Sequence, residues 1–258
     1  MRIITLTTDF GTDDWFVGTM KGVIATISPK TTVVDISHAI ASGNIRAGAF
    51  ALSASYKYFP KGTVHLAIVD PGVGSKRRAI AVQTEQYFFV GPDNGVLSFA
   101  LRSERIKAAR ALENKAYFLD SISQTFQGRD VFAPVAAHLA RGVVLARFGP
   151  RVASFVRLDW PEPKLRHESI EGEVIYIDKF GNAITNIPEA SIACLGREHI
   201  GIFKGRRRMC ALTTHYQAVP AGQAVAVPGS SGYLEIAVNG GDARAMLGLR
   251  IGDRITVG

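Results

Sequence analysis

The segment "GTVHLAIVDPGVG", residues 62–74, indicates the fold class of the first half of this chain. It opens with an apolar run that ends at Asp70, where a Pro-Gly-Val-Gly turn begins. A short apolar run bounded by turn residues is typical of a strand buried on both faces, as in parallel sheets. The segment therefore predicts a buried strand that delivers Asp70 into a loop at its carboxyl end.

Strand-like and helical segments alternate on both sides of this stretch. Helical spacing marks residues 14–28, 45–59 and 131–142, and strand-like runs cover residues 2–10, 31–37 and 77–95. The alternation predicts an α/β domain over residues 1–160, with a mostly parallel sheet and helices on both faces. Ligands of open α/β sheets bind beyond the carboxyl ends of the strands, so polar residues there are candidates for function.

The composition and the hydrophobic periodicity of the sequence change after residue 158. Residues 158–173, "LDWPEPKLRHESIEGE", are polar, contain two prolines and are interpreted as a linker. Short strand-like runs with turn residues between them fill the remainder, and helical periodicity is nearly absent. This pattern predicts a smaller C-terminal β-barrel or sandwich over residues 170–258.

Charge and composition restrict the classes of partner. The 258 residues carry a net charge of +8, which permits an anionic partner such as nucleic acid. The densest basic run, Lys204–Cys210, is interpreted as a solvated hairpin tip, and no helix-turn-helix, zinc finger or aromatic stacking series accompanies it. We expect no nucleic-acid partner.

The cellular setting is inferred from what the sequence lacks. No 18-residue apolar run is present, and the N-terminus lacks the long apolar stretch of a signal peptide, so we expect a cytoplasmic protein with no membrane partner. The two cysteines, Cys194 and Cys210, have no second Cys or His at zinc spacing. We expect both to be reduced and buried, and we expect no metal site.

Three acidic or basic residues near predicted strand ends are candidates for chemistry. Asp9 follows the first strand, where a carboxylate accepts hydrogen bonds from a ribose diol in dinucleotide sites; the alternative for this acidic loop is capping of the next helix, for which Asp13 is suited. Asp70 and Arg77 flank a loop that is short enough to bring them together. Such a pair can hold a water molecule and stabilise negative charge on it, or it can be a structural salt bridge.

The second domain contains two further candidate segments. "DKFGNAITNI", residues 178–187, places Asp178 and Asn182 four residues apart, a spacing that suits an ammonium or amino-acid head group but also ordinary turn chemistry. "PGSSGYLEIAVNGG", residues 228–241, offers Ser230 and backbone amides in a glycine-rich loop. Taken alone, the motifs predict a two-domain protein that binds a nucleoside-like ligand.

Taken together, the segments resemble one family closely. The matching stretches are "TDFGTDDWFVGTMKGV" (8–23), "VVDISHAI" (33–40), "VDPGVGSKRRAIAV" (69–82), "VGPDNGVLS" (90–98), "TFQGRDVFAPVAAHLA" (125–140), "DKFGNAITNI" (178–187) and "GSSGYLEIAVNGG" (229–241). They resemble the S-adenosyl-L-methionine hydroxide adenosyltransferases, which hydrolyse S-adenosylmethionine and are related to the fluorinases and chlorinases. The resemblance spans nearly the whole chain, in order.

The resemblance implies a fold, an assembly and a reaction. It implies an N-terminal α/β domain, a C-terminal β-barrel and a homotrimer with sites at subunit interfaces. It also implies that water or hydroxide attacks the ribose C5′ of S-adenosylmethionine, releasing adenosine and methionine, without a metal or other cofactor. The sulfonium is already a good leaving group, so the demanding step is the placement of water in line with the C5′–S bond.

The resemblance also assigns roles to individual residues. Asp9 matches the acid that binds the ribose diol, and Asp70 and Arg77 match two members of an Asp-Arg-His triad that handles water. Asp178 and Asn182 match residues that hold the methionine end. The loop at Ser230 matches the region near the methionine carboxylate and the adenine. The resemblance disfavours a halogenase. In the halogenases the position that matches Asp70 resembles a Tyr in a Tyr-Pro loop, and a carboxylate there would repel a halide.

Gln127 departs from the pattern of the family. The family motif is Thr-Phe-His-Gly-Arg-Asp, and here "TFQGRD" (125–130) carries Gln in place of His. An amide can donate to or accept from a bound water, but it cannot act as a base near neutral pH. Three explanations stay open: a natural variant with a working Asp-Arg site, an engineered substitution that traps substrate, or a protein that binds S-adenosylmethionine or adenosine with little turnover.

Overall fold

The computed structural model describes residues 2–196 and 199–258, and the chain divides into two compact units with the boundary between Asp159 and Trp160. Part of the predicted linker is in fact strand: Lys164–Leu165 pairs with the strand that begins at Ile170, so both belong to the sheet of the second unit. The prolines of this segment lie at 161 and 163, before the first of these strands begins.

The first unit contains a six-stranded sheet with the order β2-β1-β3-β5-β4-β6. Its strands are β1 (Ile3–Thr8), β2 (Thr32–Ser37), β3 (Val64–Ile68), β4 (Ala79–Thr84), β5 (Phe88–Pro92) and β6 (Ile106–Ala111). The four strands β2, β1, β3 and β5 are mutually parallel, whereas β4 pairs antiparallel with both β5 and β6. The predicted mostly parallel sheet is confirmed.

Helices cover both faces of this sheet, as the sequence predicts. The helices of the unit are α1 (Phe16–Ile27), α2 (Ile45–Ser55), α3 (Ser98–Leu101) and α4 (Ala133–Ala140). Along β3, Val64 and Leu66 pack in the core shared with α1 and α4, while Ala67 belongs to the core shared with α2 and α3. Successive side chains of β3 point to opposite faces of the sheet, and both faces are covered, so every residue of β3 is buried.

The second unit is a nearly closed antiparallel barrel. Its strands are β7 (Lys164–Leu165), β8 (Ile170–Ile177), β9 (Ala183–Pro188), β10 (Gly201–Lys204), β11 (Arg207–Ala211), β12 (Ala224–Pro228), β13 (Tyr233–Val238) and β14 (Arg254–Val257). They follow the order β11-β10-β14-β8-β9-β13-β12, with β7 on β8. A bridge between Leu212 and Ala226 connects the two ends of this order, so the barrel is nearly closed.

Within the described residues of the second unit, two short α-helices and a hairpin accompany the other strands. The helices are α5 (Glu189–Ala193) and α6 (Ala243–Leu247). The basic run is the predicted hairpin tip, since β10 and β11 pair antiparallel around Gly205 and Arg206. The prediction of two buried cysteines is half wrong: Cys210 is buried in the barrel core, but Cys194 is exposed just after α5. Cys194 follows the last residue of that helix, on its solvent side.

Candidate active site

Asp70 and Arg77 meet at the carboxyl end of β3. The loop between them turns twice, through hydrogen bonds from Val73 N to Asp70 O and from Ser75 N to Gly72 O. Arg77 Nε donates to both oxygens of Asp70, at 3.0 and 2.9 Å, and Nη2 donates to Asp70 Oδ2 as well. The seven-residue spacing thus produces a forked guanidinium–carboxylate pair, the strongest class of hydrogen-bonded ion pair.

Gln127 is the third member of this cluster. Its Oε1 accepts a hydrogen bond of 2.6 Å from Arg77 Nη2. The loops on which the two residues lie pack tightly, because a β-carbon added to Gly74 would lie 2.5 Å from Gln124 O. Gly74 has a φ of +75°, a conformation that glycine adopts without strain. The structure therefore joins Asp70, Arg77 and Gln127 into one hydrogen-bonded group.

A π-helical turn, Gly128–Phe132, begins directly after Gln127 and runs into α4. Asp130, which is fully buried, accepts hydrogen bonds from Ser123 N at 2.8 Å and from Arg129 Nε at 2.6 Å. These bonds hold the loop of residues 123–127 against the start of the helix. Single π turns are frequent at functional sites because they reorient side chains next to a helix.

The cluster lies in a largely enclosed setting. The side chains of Asp70 and Arg77 are 5% and 11% exposed, and the Arg77 guanidinium stacks over the Phe132 ring at 5.3 Å. A cavity of about 280 Å³ lies beside Arg77 and Gln127, with Leu112 and Val131 among its apolar walls. Charges in such a setting are screened less than charges in bulk water, so the ion pair can act strongly on a small polar molecule beside it.

Asp9 lies at the end of the neighbouring strand, β1. Its Oδ2 accepts a hydrogen bond of 2.8 Å from Gly43 N. The ring of Phe10 packs edge-on against the ring of Phe126 at 5.9 Å, which brings the Asp9 loop beside the loop of Gln127. The alternative that Asp13 caps the next helix is wrong, because α1 begins after Trp15 and has no side-chain cap.

Asp178 and Asn182 meet in a turn of the second unit. Asp178 Oδ1 accepts from Phe180 N and Asn182 N, both at 2.9 Å, and Oδ2 accepts from Asn182 Nδ2 at 3.3 Å. These contacts are the turn chemistry that the sequence left open as an alternative. They also fix the orientation of the carboxylate, and so do not exclude a ligand.

A cavity of about 760 Å³ lies beside this turn within the second unit. Besides Asp178, Asn182 and Ser230, its lining includes Tyr216 and Glu235. The volume is that of a pocket for a small organic molecule. The structure thus places the three sequence-predicted residues of this unit around one cavity.

Glu235 is the residue of this cavity that sequence reasoning missed. It is buried and accepts a hydrogen bond of 2.6 Å from the Tyr216 hydroxyl. Burial, together with the nearby charge of Asp178, raises the pKa of Glu235, although hydrogen bonds from Tyr216 and Asn182 oppose the shift. Burial and the partnership with Glu235 raise the pKa of Tyr216 to about 12. The sequence signal that could have indicated Glu235 is its position as the single carboxylate in the otherwise apolar strand β13.

Two features are absent from the part of the chain that the structure describes. No group of three or more His, Cys, Asp or Glu side chains is arranged to hold a metal ion within residues 2–196 and 199–258. None of the helices described there combines the length and apolar character needed to cross a bilayer.

Comparison with protein families places both units in one family. Residues 4–149 match the SAM hydroxide adenosyltransferase N-terminal domain, and residues 172–256 match the SAM hydroxide adenosyltransferase C-terminal domain. The two matches together cover most of the chain and correspond to the two units of the fold.

Individual relatives agree with the family match. The chain is 41% identical to a (R)-S-adenosyl-L-methionine hydrolase from Thermus thermophilus, over 98% of each chain. It is 38% identical to a (R)-S-adenosyl-L-methionine hydrolase from Salinispora tropica, over 98% of this chain and 97% of the relative. The crystal structure of an uncharacterized conserved protein from Thermotoga maritima matches with a TM-score of 0.93 and 37% identity, over 100% of this chain and 99% of that one.

Proposed function

The chain belongs to the SAM hydroxide adenosyltransferase family, and we propose that it is an enzyme that hydrolyses S-adenosyl-L-methionine to adenosine and L-methionine. The observation that supports the proposal most directly is the group of Asp70, Arg77 and Gln127, in which a nearly buried ion pair lies at a strand end beside a small cavity. Full-length relatives that are named as hydrolases of this substrate support the reaction.

The proposed reaction is a displacement at the ribose C5′. A bond forms from the water oxygen to C5′, the C5′–S bond breaks, and its electron pair returns to sulfur, which leaves as the neutral thioether of methionine. The attacking oxygen loses one proton, which passes by way of the Asp70 carboxylate to solvent. Because the sulfonium leaves without protonation, the protein's task is to place and polarise the water in a site with little bulk water.

Each residue of the cluster has a part in this task. Asp70 accepts a hydrogen bond from the water and orients a lone pair toward C5′. Arg77 holds the carboxylate of Asp70 with two nitrogens and stabilises negative charge that develops on the attacking oxygen. Gln127 accepts from Arg77 through Oε1, so its amide nitrogen is oriented away from Arg77 and can donate to the water.

The substrate is proposed to be held by the residues that the family resemblance assigns. Asp9 takes the ribose diol, Asp178 and Asn182 hold the methionine end, and the loop at Ser230 lies near the methionine carboxylate and the adenine. The cavity that Asp178, Asn182 and Ser230 line supports this assignment. S-adenosylmethionine is then the substrate and not a cofactor, and we propose that the reaction requires neither a cofactor nor a metal.

We also propose a cytoplasmic homotrimer with sites at subunit interfaces, an assembly that rests on the family resemblance. Light scattering on the eluate of a size-exclusion column tests the trimer. A mass of three chains supports it, and a mass of one or two chains contradicts it.

The reaction is tested by hydrolysis in water enriched in ¹⁸O. The proposal predicts adenosine and methionine in equal amounts, with one ¹⁸O in the 5′-hydroxyl of adenosine and none in methionine. Free adenine, or 5′-methylthioadenosine, would indicate cleavage of a different bond and would contradict the proposal. Binding of S-adenosylmethionine without any product would instead favour the alternative that this chain is a binding protein, because Gln127 replaces the His of the family motif.

A further inference from the structure

His38 lies just after β2 and connects two strands of the first unit. Its side chain is 3% exposed. Nδ1 lies 2.8 Å from Thr8 Oγ1, and Nε2 lies 3.1 Å from Asp35 Oδ1, although this second contact lacks the alignment of a full hydrogen bond. Thr8 is the last residue of β1 and directly precedes Asp9. His38 thus connects an acidic residue on β2 with the residue beside Asp9.

The contacts of His38 indicate which of its two ring nitrogens carries the proton. A carboxylate only accepts hydrogen bonds, so we assign the ring proton to Nε2, which faces Asp35. In the neutral ring, Nδ1 then accepts from the Thr8 hydroxyl. The Thr8 oxygen keeps a lone pair for Phe10 N, which donates to it at 3.2 Å. The network therefore reaches Asp9 from both sides, through Thr8 before it and Phe10 after it.

The backbone of the same segment provides two further contacts. His38 O accepts from Gly11 N at 2.8 Å, and Gly43 N donates to Asp9 Oδ2 at 2.8 Å. Gly11 has a φ of +69°, so the chain turns sharply just after Asp9. Residues 38–43 consequently hold the loop of Asp9 at its start, at its carboxylate and at its end.

The outer end of the network is anchored on α1. Lys21 Nζ donates to Asp35 Oδ2 at 2.6 Å. Burial raises the pKa of Asp35, but the hydrogen bond from Lys21 and the polar contact with His38 outweigh it and leave the pKa below its ordinary value. Asp35 is therefore ionised at neutral pH and remains available as the acceptor that His38 Nε2 faces.

We propose that His38 is a positioning residue for substrate: through Thr8 it fixes the direction in which Asp9 presents its carboxylate to the ribose diol. This inference rests on the proposed function, and it goes beyond it by assigning a role to a residue that does not touch the substrate. Contacts to the ribose diol persist from the bound substrate to the transition state, so loss of the network raises KM and leaves kcat nearly unchanged.

A matched pair of threonines separates this role from a merely structural one. Thr8 and Thr5 are both fully buried on β1, and each has its Oγ1 2.8 Å from the Nδ1 of a histidine, His38 or His65. Thr8→Val and Thr5→Val therefore remove the same hydroxyl from the same strand and the same kind of partner. Only Thr8 adjoins Asp9.

The experiment measures the Kd of adenosine and of 2′,3′-dideoxyadenosine, which lacks the diol, by calorimetry on the full-length chain. The wild type should prefer adenosine by roughly tenfold or more, since hydrogen bonds to a charged group are the strong kind. Thr8→Val should weaken adenosine binding by roughly tenfold and dideoxyadenosine binding hardly at all, whereas Thr5→Val should keep the preference. His38→Asn, whose amide oxygen can still accept from Thr8, should retain more of the preference than His38→Ala.

The outcomes distinguish this inference from the function on which it rests. Equal weakening of both ligands by Thr8→Val, or equal loss of preference in the two threonine variants, would overturn the role of His38 while leaving hydrolysis intact. A wild-type protein that binds adenosine no better than the dideoxy compound would overturn the assignment of Asp9 and this inference together. A wild type that shows the preference but releases no product would contradict only the proposed reaction.

Discussion

Arg77 Nη2 donates a hydrogen bond of 2.6 Å to Gln127 Oε1 and a second one to Asp70 Oδ2. Arg77 Nε donates to Asp70 as well. The acceptor at position 127 thus takes the second N–H of Arg77 Nη2, and an amide oxygen fills this place as a neutral imidazole nitrogen would. The geometry of the Asp-Arg pair therefore does not depend on a histidine. What the amide cannot supply is proton transfer.

Asp70→Asn removes the charge that orients the water and keeps the size of the side chain. We expect kcat to fall by roughly 10²–10⁴-fold, the usual range for loss of a proton-accepting group, with little change in the Kd of S-adenosylmethionine. Single-turnover assays of adenosine release and calorimetric binding measure the two quantities. Asp253→Asn is the control, because it breaks the Lys204–Asp253 ion pair of the second unit and should leave kcat unchanged.

Gly74→Ala tests the packing between the loop of Asp70 and the loop of Gln127. The added methyl group meets Gln124 O at 2.5 Å, so that loop must move and the bond from Arg77 to Gln127 lengthens. Gly62→Ala is the matched control, because Gly62 also has a positive φ, +84°, but has open space around it. Both variants should lose thermal stability through backbone strain, Gly74→Ala more so because of the added clash, and only Gly74→Ala should lose most of its adenosine release. Equal activity in the two variants would contradict the packing argument.

Glu235→Gln tests the buried carboxylate of the second unit by its dependence on pH. Because the folded-state pKa of Glu235 is raised, its contribution to stability is fully present below the ordinary value of 4.5 and declines as pH rises through the folded pKa. The glutamine variant has no such decline. We expect its melting temperature, relative to that of the wild type, to rise between pH 4 and pH 7.

The control for this pH series is Glu85→Gln, which removes an exposed carboxylate paired with Arg105. Exposed pairs contribute little, so its melting temperature should follow that of the wild type across the range. If the melting temperature of Glu235→Gln also follows that of the wild type across this pH range, burial does not raise the pKa of Glu235.

The two cysteines should differ sharply in reactivity. Burial raises the pKa of Cys210 to about 12, so its thiolate is scarce at pH 8, whereas Cys194 is exposed. A thiol-specific reagent at pH 8 should label one site per native chain, and Cys194→Ser should abolish this labelling while Cys210→Ser preserves it. Denaturant should expose the second site. Rapid labelling of both thiols in the native wild type would contradict the described barrel core.

The sequence was sufficient for the parts of the fold in which the periodicity was plain. The apolar run ending at Asp70 predicted β3, and the alternation around it predicted the sheet and its helices. Strand β6 was not predicted, because its alanines, lysine and arginine favour helices as single residues. Its conformation is set by pairing with β4, a contact that only the folded chain supplies.

The site was predictable to a similar extent and for a similar reason. Asp70 and Arg77 lie seven residues apart, so loop length alone suggested their contact. Gln127 lies fifty residues from Arg77, and only the family resemblance singled it out. Glu235 was missed because a strand pattern does not reveal that Tyr216, nineteen residues earlier, reaches its carboxylate.

Comparison of the wild type with Gln127→His decides whether this chain turns over S-adenosylmethionine. Adenosine and methionine release from S-adenosylmethionine would be followed over long incubations, beside the Kd of the substrate for each protein. We predict equimolar products from the wild type, with turnover below that of the histidine variant by less than the roughly 10²–10⁴-fold cost of losing a general base. Adenosine from Gln127→His alone, with equal binding in both proteins, would contradict the proposed hydrolysis and would make the wild-type chain a binding protein.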